Sequence, residues 1–152
     1  MSISIGPSVA ARIVDSLMAA QRDVSRPIEG GVLDVPAAEL APVTTTLEAV
    51  VGTIYTDLIY PQLITYPQLD TEPSDRHDDA PGRMGSVPPT RRLVGLELSR
   101  ACQRVGVRLD ELTMLVGEVD GDEARRWFGR STIDVRRHLT DLATVAASWA
   151  DE

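Results

Sequence analysis

Apolar residues recur every three or four positions over most of the chain, which is the spacing of an α-helix that buries one face. In the N-terminal half this pattern predicts helices over residues 8–24 and 36–60. In the C-terminal half it predicts four shorter helices, over residues 90–105, 109–116, 120–129 and 132–149. Glycines set the boundaries between these four because glycine favours helix ends. The sequence therefore predicts an all-α fold.

The positions expected to face the core carry apolar side chains in each longer predicted helix. They are Val9, Ile13, Leu17 and Ala20; Leu40, Val43, Leu47, Val50, Ile54 and Leu58; Val94, Leu98, Ala101, Cys102 and Val105; and Val135, Leu139, Leu142, Ala146 and Trp149.

Proline and charge divide the chain into three predicted parts. All ten prolines lie between Pro7 and Pro89, so the last 63 residues are free to be continuous helix. Residues 70–89 are acidic and rich in proline and glycine, which is typical of a linker. We therefore expect an N-terminal helical hairpin with an extended arm over residues 1–69, this linker, and a small four-helix domain over residues 90–152.

The extended arm is predicted from a short internal repeat. The hexapeptide YPQLIT at residues 60–65 is followed directly by YPQLDT at residues 66–71. Each proline disfavours a helical conformation for the tyrosine before it, which indicates an extended segment. Two interpretations stay open. The arm docks on a partner or a second subunit through Tyr60, Leu63, Tyr66 and Leu69, or it covers the helices of its own domain.

The net charge of −8, from 15 basic and 23 acidic residues, argues against a protein whose whole surface binds nucleic acid or anionic membrane. The charge is unevenly placed, however. Residues 1–88 contain 5 arginines and 12 acidic residues, net −7, whereas residues 89–152 contain 10 arginines and 11 acidic residues, net −1. A local basic patch in the C-terminal part is therefore compatible with the acidic total. Every basic residue is arginine, which codon usage in a GC-rich genome explains most simply.

Several classes of protein are not supported by the sequence. The lone Cys102 cannot form an internal disulfide and is expected to be a buried, inert thiol. No apolar run is long enough for a membrane span and no signal peptide is recognisable, so we expect a cytoplasmic protein. His77 lies in an acidic run of the predicted linker and His138 on a predicted helix surface. Neither histidine has an obvious nucleophile, and no nucleotide-binding or metal-binding motif occurs. We therefore expect no enzyme, cofactor or metal.

Two segments of the C-terminal part resemble a known family. Residues 106–117 (GVRLDELTMLVG) resemble the second helix of Cro/C1-type (Xre-like) helix-turn-helix domains, which begins Gly-Leu-Thr-x-Glu-Glu-Leu-Ala and ends in Leu-Gly. Residues 124–130 (ARRWFGR) look like the recognition helix of that family. The resemblance extends over about residues 91–149.

The resemblance implies binding to duplex DNA, with the helix over residues 120–129 in the major groove. Arginines would reach bases or phosphates there: Arg125, Arg126, Arg130, Arg136 and Arg137. The alternative is that these arginines form solvated faces and pair with acidic residues at helical spacing. Asp120, Asp122 and Glu123, where the family has polar residues, favour this alternative.

Two functional hypotheses follow. The first is a DNA-binding transcriptional regulator whose residues 1–69 dimerise or bind a partner. The second is a non-enzymatic all-α interaction or assembly protein that does not bind DNA.

Overall fold

The computed structural model describes residues 5–29, 35–69, 90–118 and 122–151. The described residues form helices and turns and no strand, so the predicted all-α fold is confirmed. The α-helices are α1 (Pro7–Glu29), α2 (Ala37–Thr53), α3 (Tyr60–Thr65), α4 (Arg91–Gly117) and α5 (Asp122–Ala150). A π-helical segment (Ile54–Ile59) joins α2 to α3, and a 3-10 turn (Pro67–Leu69) follows α3.

The division of the C-terminal part into four short helices was wrong, because α4 and α5 are each continuous over two of the predicted helices. α4 runs through Gly106, and α5 runs through Gly129. Thr90 caps the start of α4, since its side chain accepts a hydrogen bond from the backbone N–H of Leu93 at 3.3 Å. The two short helices required by the helix-turn-helix resemblance are therefore not separate elements among the described residues.

Packing explains why Gly106 and Gly129 do not interrupt the helices. A glycine inside a helix costs about 1 kcal/mol relative to alanine. Full burial of a single valine, leucine or phenylalanine contributes roughly 1.5–3 kcal/mol. Val105 and Leu109 flank Gly106 and are fully buried, and Phe128, next to Gly129, is fully buried as well. Core residues on both sides of each glycine outweigh its cost.

The predicted extended arm was also wrong for its first half, because residues 60–65 are helical. Tyr60 has helical backbone angles (φ −57°, ψ −42°), and its N–H bonds to the carbonyl of Tyr55, five residues earlier. This widened turn precedes Pro61, whose ring would clash with the carbonyl of residue 57 in a regular α-helix. The second Tyr-Pro pair follows the prediction, since Tyr66 leaves the helix (φ −129°, ψ 77°).

The long helices form a four-helix bundle in which neighbours are antiparallel. α4 packs on α5, α1 packs on α4, and α2 packs on α5 and α1. The side chain of Arg104 forms two hydrogen bonds to the carboxylate of Asp23 at 2.7 and 2.8 Å, which fastens α4 to α1. Gln21 of α1 donates to the carbonyl of Val51 at 3.0 Å, which joins α1 to α2.

One continuous hydrophobic core lies between these helices and draws on residues from both halves of the chain. Nearly all positions predicted to face the core are buried, and Val9 and Leu40 are partly buried against it. Phe128 and Trp149 are buried, and Trp127 is partly buried against the core. Residues 1–69 and 90–152 thus share a core in their described parts.

Gly95 allows α4 and α5 to approach each other closely. A Cβ atom at Gly95 would lie 2.6 Å from the carbonyl oxygen of Ala146 and 2.7 Å from Cβ of Trp149. The guanidinium of Arg91 lies over the Trp149 ring at 5.4 Å, and Arg91 also pairs with Glu39 at the start of α2. This end of the bundle therefore joins the start of α2, the start of α4 and the end of α5.

The opposite end is closed by Tyr66, whose hydroxyl accepts a hydrogen bond from the N–H of Gly6 at 2.9 Å. Gly6 has a positive φ of 86°, a conformation that glycine adopts without strain. Leu69 therefore lies at the end of the bundle opposite Thr90, and the predicted linker over residues 70–89 lies outside the described residues. Within the described ranges, no helix has the length and apolarity needed to cross a membrane.

Candidate interaction surface

The five arginines predicted to bind nucleic acid differ in their contacts with the rest of the protein. Three of them have partners within the bundle. Arg125 donates to the carbonyl of Gly117 at 2.9 Å, Arg136 pairs with Asp110 at 2.9 Å, and Arg137 pairs with Asp134 at 2.8 Å. The first two join α5 to α4.

Arg126 and Arg130 are exposed and have no hydrogen bond or ion pair to any described residue. With Ile133 and Arg137 they occupy positions 126, 130, 133 and 137, a spacing that places all four on the outer face of α5. Ile133 is 60% exposed. We call these four residues the arginine stripe. Asp122 and Glu123, in the first turn of α5, are also exposed.

The four residues predicted to bind a partner differ in how far they are exposed. Tyr60 is 48% exposed, whereas Leu63 is buried in the core. Tyr66 is partly buried, and its hydroxyl is engaged by Gly6. Leu69 is partly buried against the core. Leu63, Tyr66 and Leu69 therefore contact the helices of their own chain, in line with the second interpretation of the repeat.

Tyr60 is joined on the outer surface by two residues that the sequence analysis missed. Tyr55 is 42% exposed and Ile64 is 59% exposed. The rings of Tyr55 and Tyr60 are in contact, with centroids 5.9 Å apart and planes inclined by 39°. Tyr55, Tyr60 and Ile64 are called the tyrosine face.

The π-helical segment brings the rings of Tyr55 and Tyr60 into contact. At about 100° per residue, side chains five positions apart in a regular α-helix differ in direction by about 140°. The π-helical turn ends in a bond between residues five apart, which brings Tyr60 over Tyr55. The sequence could have revealed this face only if the second predicted helix had been continued through residue 65, with a wider turn before Pro61.

Asp57 lies near Asp134 and His138 of α5. It belongs to the π-helical segment and is partly exposed. Burial raises the pKa of its carboxyl, the nearby Asp134 raises the pKa further, and His138 opposes this shift. Asp134, whose carboxylate repels that of Asp57, is itself paired with Arg137 on α5.

A second row of exposed apolar residues lies on the outer face of α4. Leu93, Val107 and Met114 are each at least half exposed and are spaced by multiples of seven. They are interspersed with polar residues such as Arg100 and Gln103. Unlike the tyrosine face, this row shows no contact between its members.

The described residues contain no group of three or more histidine, cysteine or acidic side chains placed to hold a metal ion. Cys102 is buried and free, so the predicted burial of this thiol is confirmed. Burial raises the pKa of the thiol to about 12, which favours the unreactive, protonated form, and its inertness stays a prediction.

Comparison with known proteins gives no match to a protein-family model, a curated protein or a solved structure. Function is therefore inferred from the surface of the bundle.

Proposed function

We propose that this protein is a non-enzymatic interaction protein whose helical bundle docks a protein partner on the tyrosine face. The contact between Tyr55 and Tyr60 outside the core is the observation that supports this proposal. The proposal keeps the expected cytoplasmic location.

Contact with a partner would remove the exposed parts of these rings from water, which is favourable. A fully buried tyrosine covers roughly 150–250 Å². Tyr55 and Tyr60 are 42% and 48% exposed, so a partner could bury up to about half of that area on each ring. Single exposed apolar side chains are common, but three together on one ridge are typical of a binding surface. Tyrosine is also among the residues that contribute most energy at protein interfaces.

Site-specific photo-crosslinking tests the proposal. Tyr60 is replaced by benzoylphenylalanine, which keeps an aromatic side chain on the tyrosine face, and the protein is irradiated in cells. The matched control carries the same group in place of Arg22, which is exposed on α1. We expect a discrete protein adduct from position 60 that is absent from position 22. Identical adduct patterns from both positions would contradict the proposal.

A DNA-binding regulator is the second candidate. Arg126 and Arg130 favour it, because they are exposed and have no partner among the residues that the structure describes. Against it, Asp122 and Glu123 add negative charge at the N-terminal end of the same helix. Binding to random duplex DNA at two salt concentrations decides this point. A steep dependence on salt that is lost in Arg126→Ala/Arg130→Ala supports this candidate. No binding at low salt eliminates it.

A further inference from the structure

The outer face of α4 carries four exposed side chains at intervals of seven residues, namely Leu93, Arg100, Val107 and Met114. The three apolar side chains are 50%, 55% and 74% exposed. Seven residues make almost two full helical turns, so the four side chains lie in one row along the helix. A row with this interval is typical of the seam along which two long helices pack.

Unpaired charges on and beside this row are sorted by sign along the helix. Arg92 and Arg100 lie in the first half of α4, whereas Glu111 lies in the second half and Glu118 directly follows it. All four are exposed, and none has an ion pair or a side-chain hydrogen bond with another described residue.

The other charged residues of α4 already interact within the chain; they are Arg91, Glu97, Arg104, Arg108 and Asp110. The charges that remain available on the outer face are therefore basic towards its start and acidic towards its end. The first half of this face complements the second half of the same face. An isologous interface between two identical chains requires this kind of self-complementary surface.

We infer that a second copy of this chain docks its own α4 against this face in the antiparallel direction. A twofold axis near residue 105 would place Arg100 beside Glu111 of the second copy, because the two residues lie five and six positions from that point. It would also place Arg92 beside Glu118 of the second copy, since both lie thirteen positions from it. Symmetry makes each pair occur twice, and Met114 would pack near Leu93 of the second copy.

The parallel arrangement of two α4 helices fits this surface less well. It would place Arg100 beside Arg100 of the second copy, and Glu111 beside Glu111 of the second copy, where like charges destabilise the pair. The macrodipoles of two antiparallel helices oppose each other, which adds a small attraction. The order of charges along α4 therefore favours both a second copy as the partner and the antiparallel direction.

The size of the face indicates a weak dimer. α4 has 27 residues and is about 40 Å long, so a strip about 10 Å wide along it covers roughly 400 Å². Each partner in a standard protein interface buries roughly 800 Å². We therefore expect a dissociation constant on the order of 1–100 µM, with monomer and dimer both present in concentrated solution.

Sedimentation equilibrium of the full chain, from about 1 to about 500 µM, measures this association. We expect the average mass to rise from that of the monomer towards that of the dimer over this range. Leu93→Ser/Val107→Ser/Met114→Ser should remain monomeric, because it removes the apolar part of the row. These side chains lie outside the core, so an unchanged circular dichroism spectrum serves as the check on folding.

Charge reversals test the antiparallel pairing. Arg100→Glu and Glu111→Arg should each weaken dimerisation by about tenfold or more, because symmetry introduces two like-charge contacts at once. Arg100→Glu/Glu111→Arg should restore the affinity to within about threefold, since it exchanges the two charges and keeps their signs opposite. The matched controls Arg22→Glu on α1 and Glu48→Arg on α2 make the same changes at exposed positions and should alter the affinity by less than about twofold.

Other results overturn the inference. These are a monomer at every concentration, a dimer that the triple serine variant leaves unchanged, and a double reversal that fails to restore association. Glu111→Arg separates the inference from an effect of total charge, because adding two positive charges to −8 gives −6 and would strengthen association if total charge decided it. The tyrosine face lies on the π-helical segment and α3, so a monomer that still forms the crosslink at position 60 overturns this inference alone.

Discussion

Alanine substitution at Gly95, Gly106 and Gly129 tests whether the C-terminal part forms two continuous helices or four short ones. All three lie inside α4 or α5, but only Gly95 faces another helix at close range. An added Cβ meets nothing within 4 Å at Gly106 and Gly129. Alanine substitution should therefore have opposite effects at the two kinds of site.

At Gly106 and Gly129 the gain follows from helix propensity. Gly→Ala in a helix interior stabilises by about 0.5–1 kcal/mol. The two sites lie on different helices and share no contact, so the double substitution should stabilise by about 1–2 kcal/mol. For a chain of this length each 1 kcal/mol corresponds to roughly 2–4 °C in Tm.

At Gly95 steric overlap reverses the sign. The new Cβ would lie 2.6 Å from the carbonyl oxygen of Ala146 and 2.8 Å from the backbone nitrogen of Ala150. Backbone atoms cannot move aside as a flexible side chain can, so α4 and α5 would have to separate. Overpacking of this kind costs about 1–3 kcal/mol.

The assay is urea unfolding followed by circular dichroism, with unchanged m-values as a check that the unfolding reaction is the same. Gly52→Ala in α2 is the matched control, because Gly52 also lies in a helix with nothing within 4 Å of an added Cβ. Lower stability of Gly106→Ala or Gly129→Ala would refute the continuous helices, since glycine would then be required in a turn.

Three further substitutions or measurements test individual side chains. Asp57→Asn should stabilise the protein at pH 7, because the pKa of Asp57 is raised in the folded state and its ionisation therefore disfavours folding. The gain should disappear below the ordinary carboxyl pKa of 3.8, where Asp57 is protonated in both states. A pH series of urea midpoints measures this. Gln62→Met should stabilise by about 1 kcal/mol, since Gln62 is 2% exposed and its Oε1 has no hydrogen-bond partner; a lower Tm would show that the amide is needed. Cys102 should react with a thiol reagent only as the protein unfolds, and rapid labelling of the native protein would contradict its burial.

The fold class and the buried faces were predictable because the spacing of apolar residues records which side of each helix faces the core. Helix ends were less predictable because a glycine inside a helix costs only about 1 kcal/mol, which is small enough for packing to outweigh. Buried neighbours such as Leu109 and Phe128 exceed that cost only once the partner helix is present. Tertiary packing, which no local pattern contains, decided that α4 and α5 are continuous.

The candidate site was only partly predictable for a related reason. The rule that a residue before proline avoids the helical conformation held at Tyr66 and failed at Tyr60. The π-helical turn that permits Tyr60 to stay helical also changes which side chains lie above one another. The exposure of Tyr55 and Ile64 depends on this change, whereas the outward direction of Arg126 and Arg130 follows from ordinary helical spacing.

The most direct test of the central claim is quantitative affinity capture from cells with two matched triple variants. One removes the tyrosine face (Tyr55→Ser/Tyr60→Ser/Ile64→Ser), and the other removes the exposed row on α4 (Leu93→Ser/Val107→Ser/Met114→Ser). Both must first retain the circular dichroism spectrum and Tm of the unsubstituted protein within a few degrees. The account predicts that at least one captured protein is lost with the first variant and kept with the second. Identical sets of captured proteins for the unsubstituted protein and the first variant would contradict it.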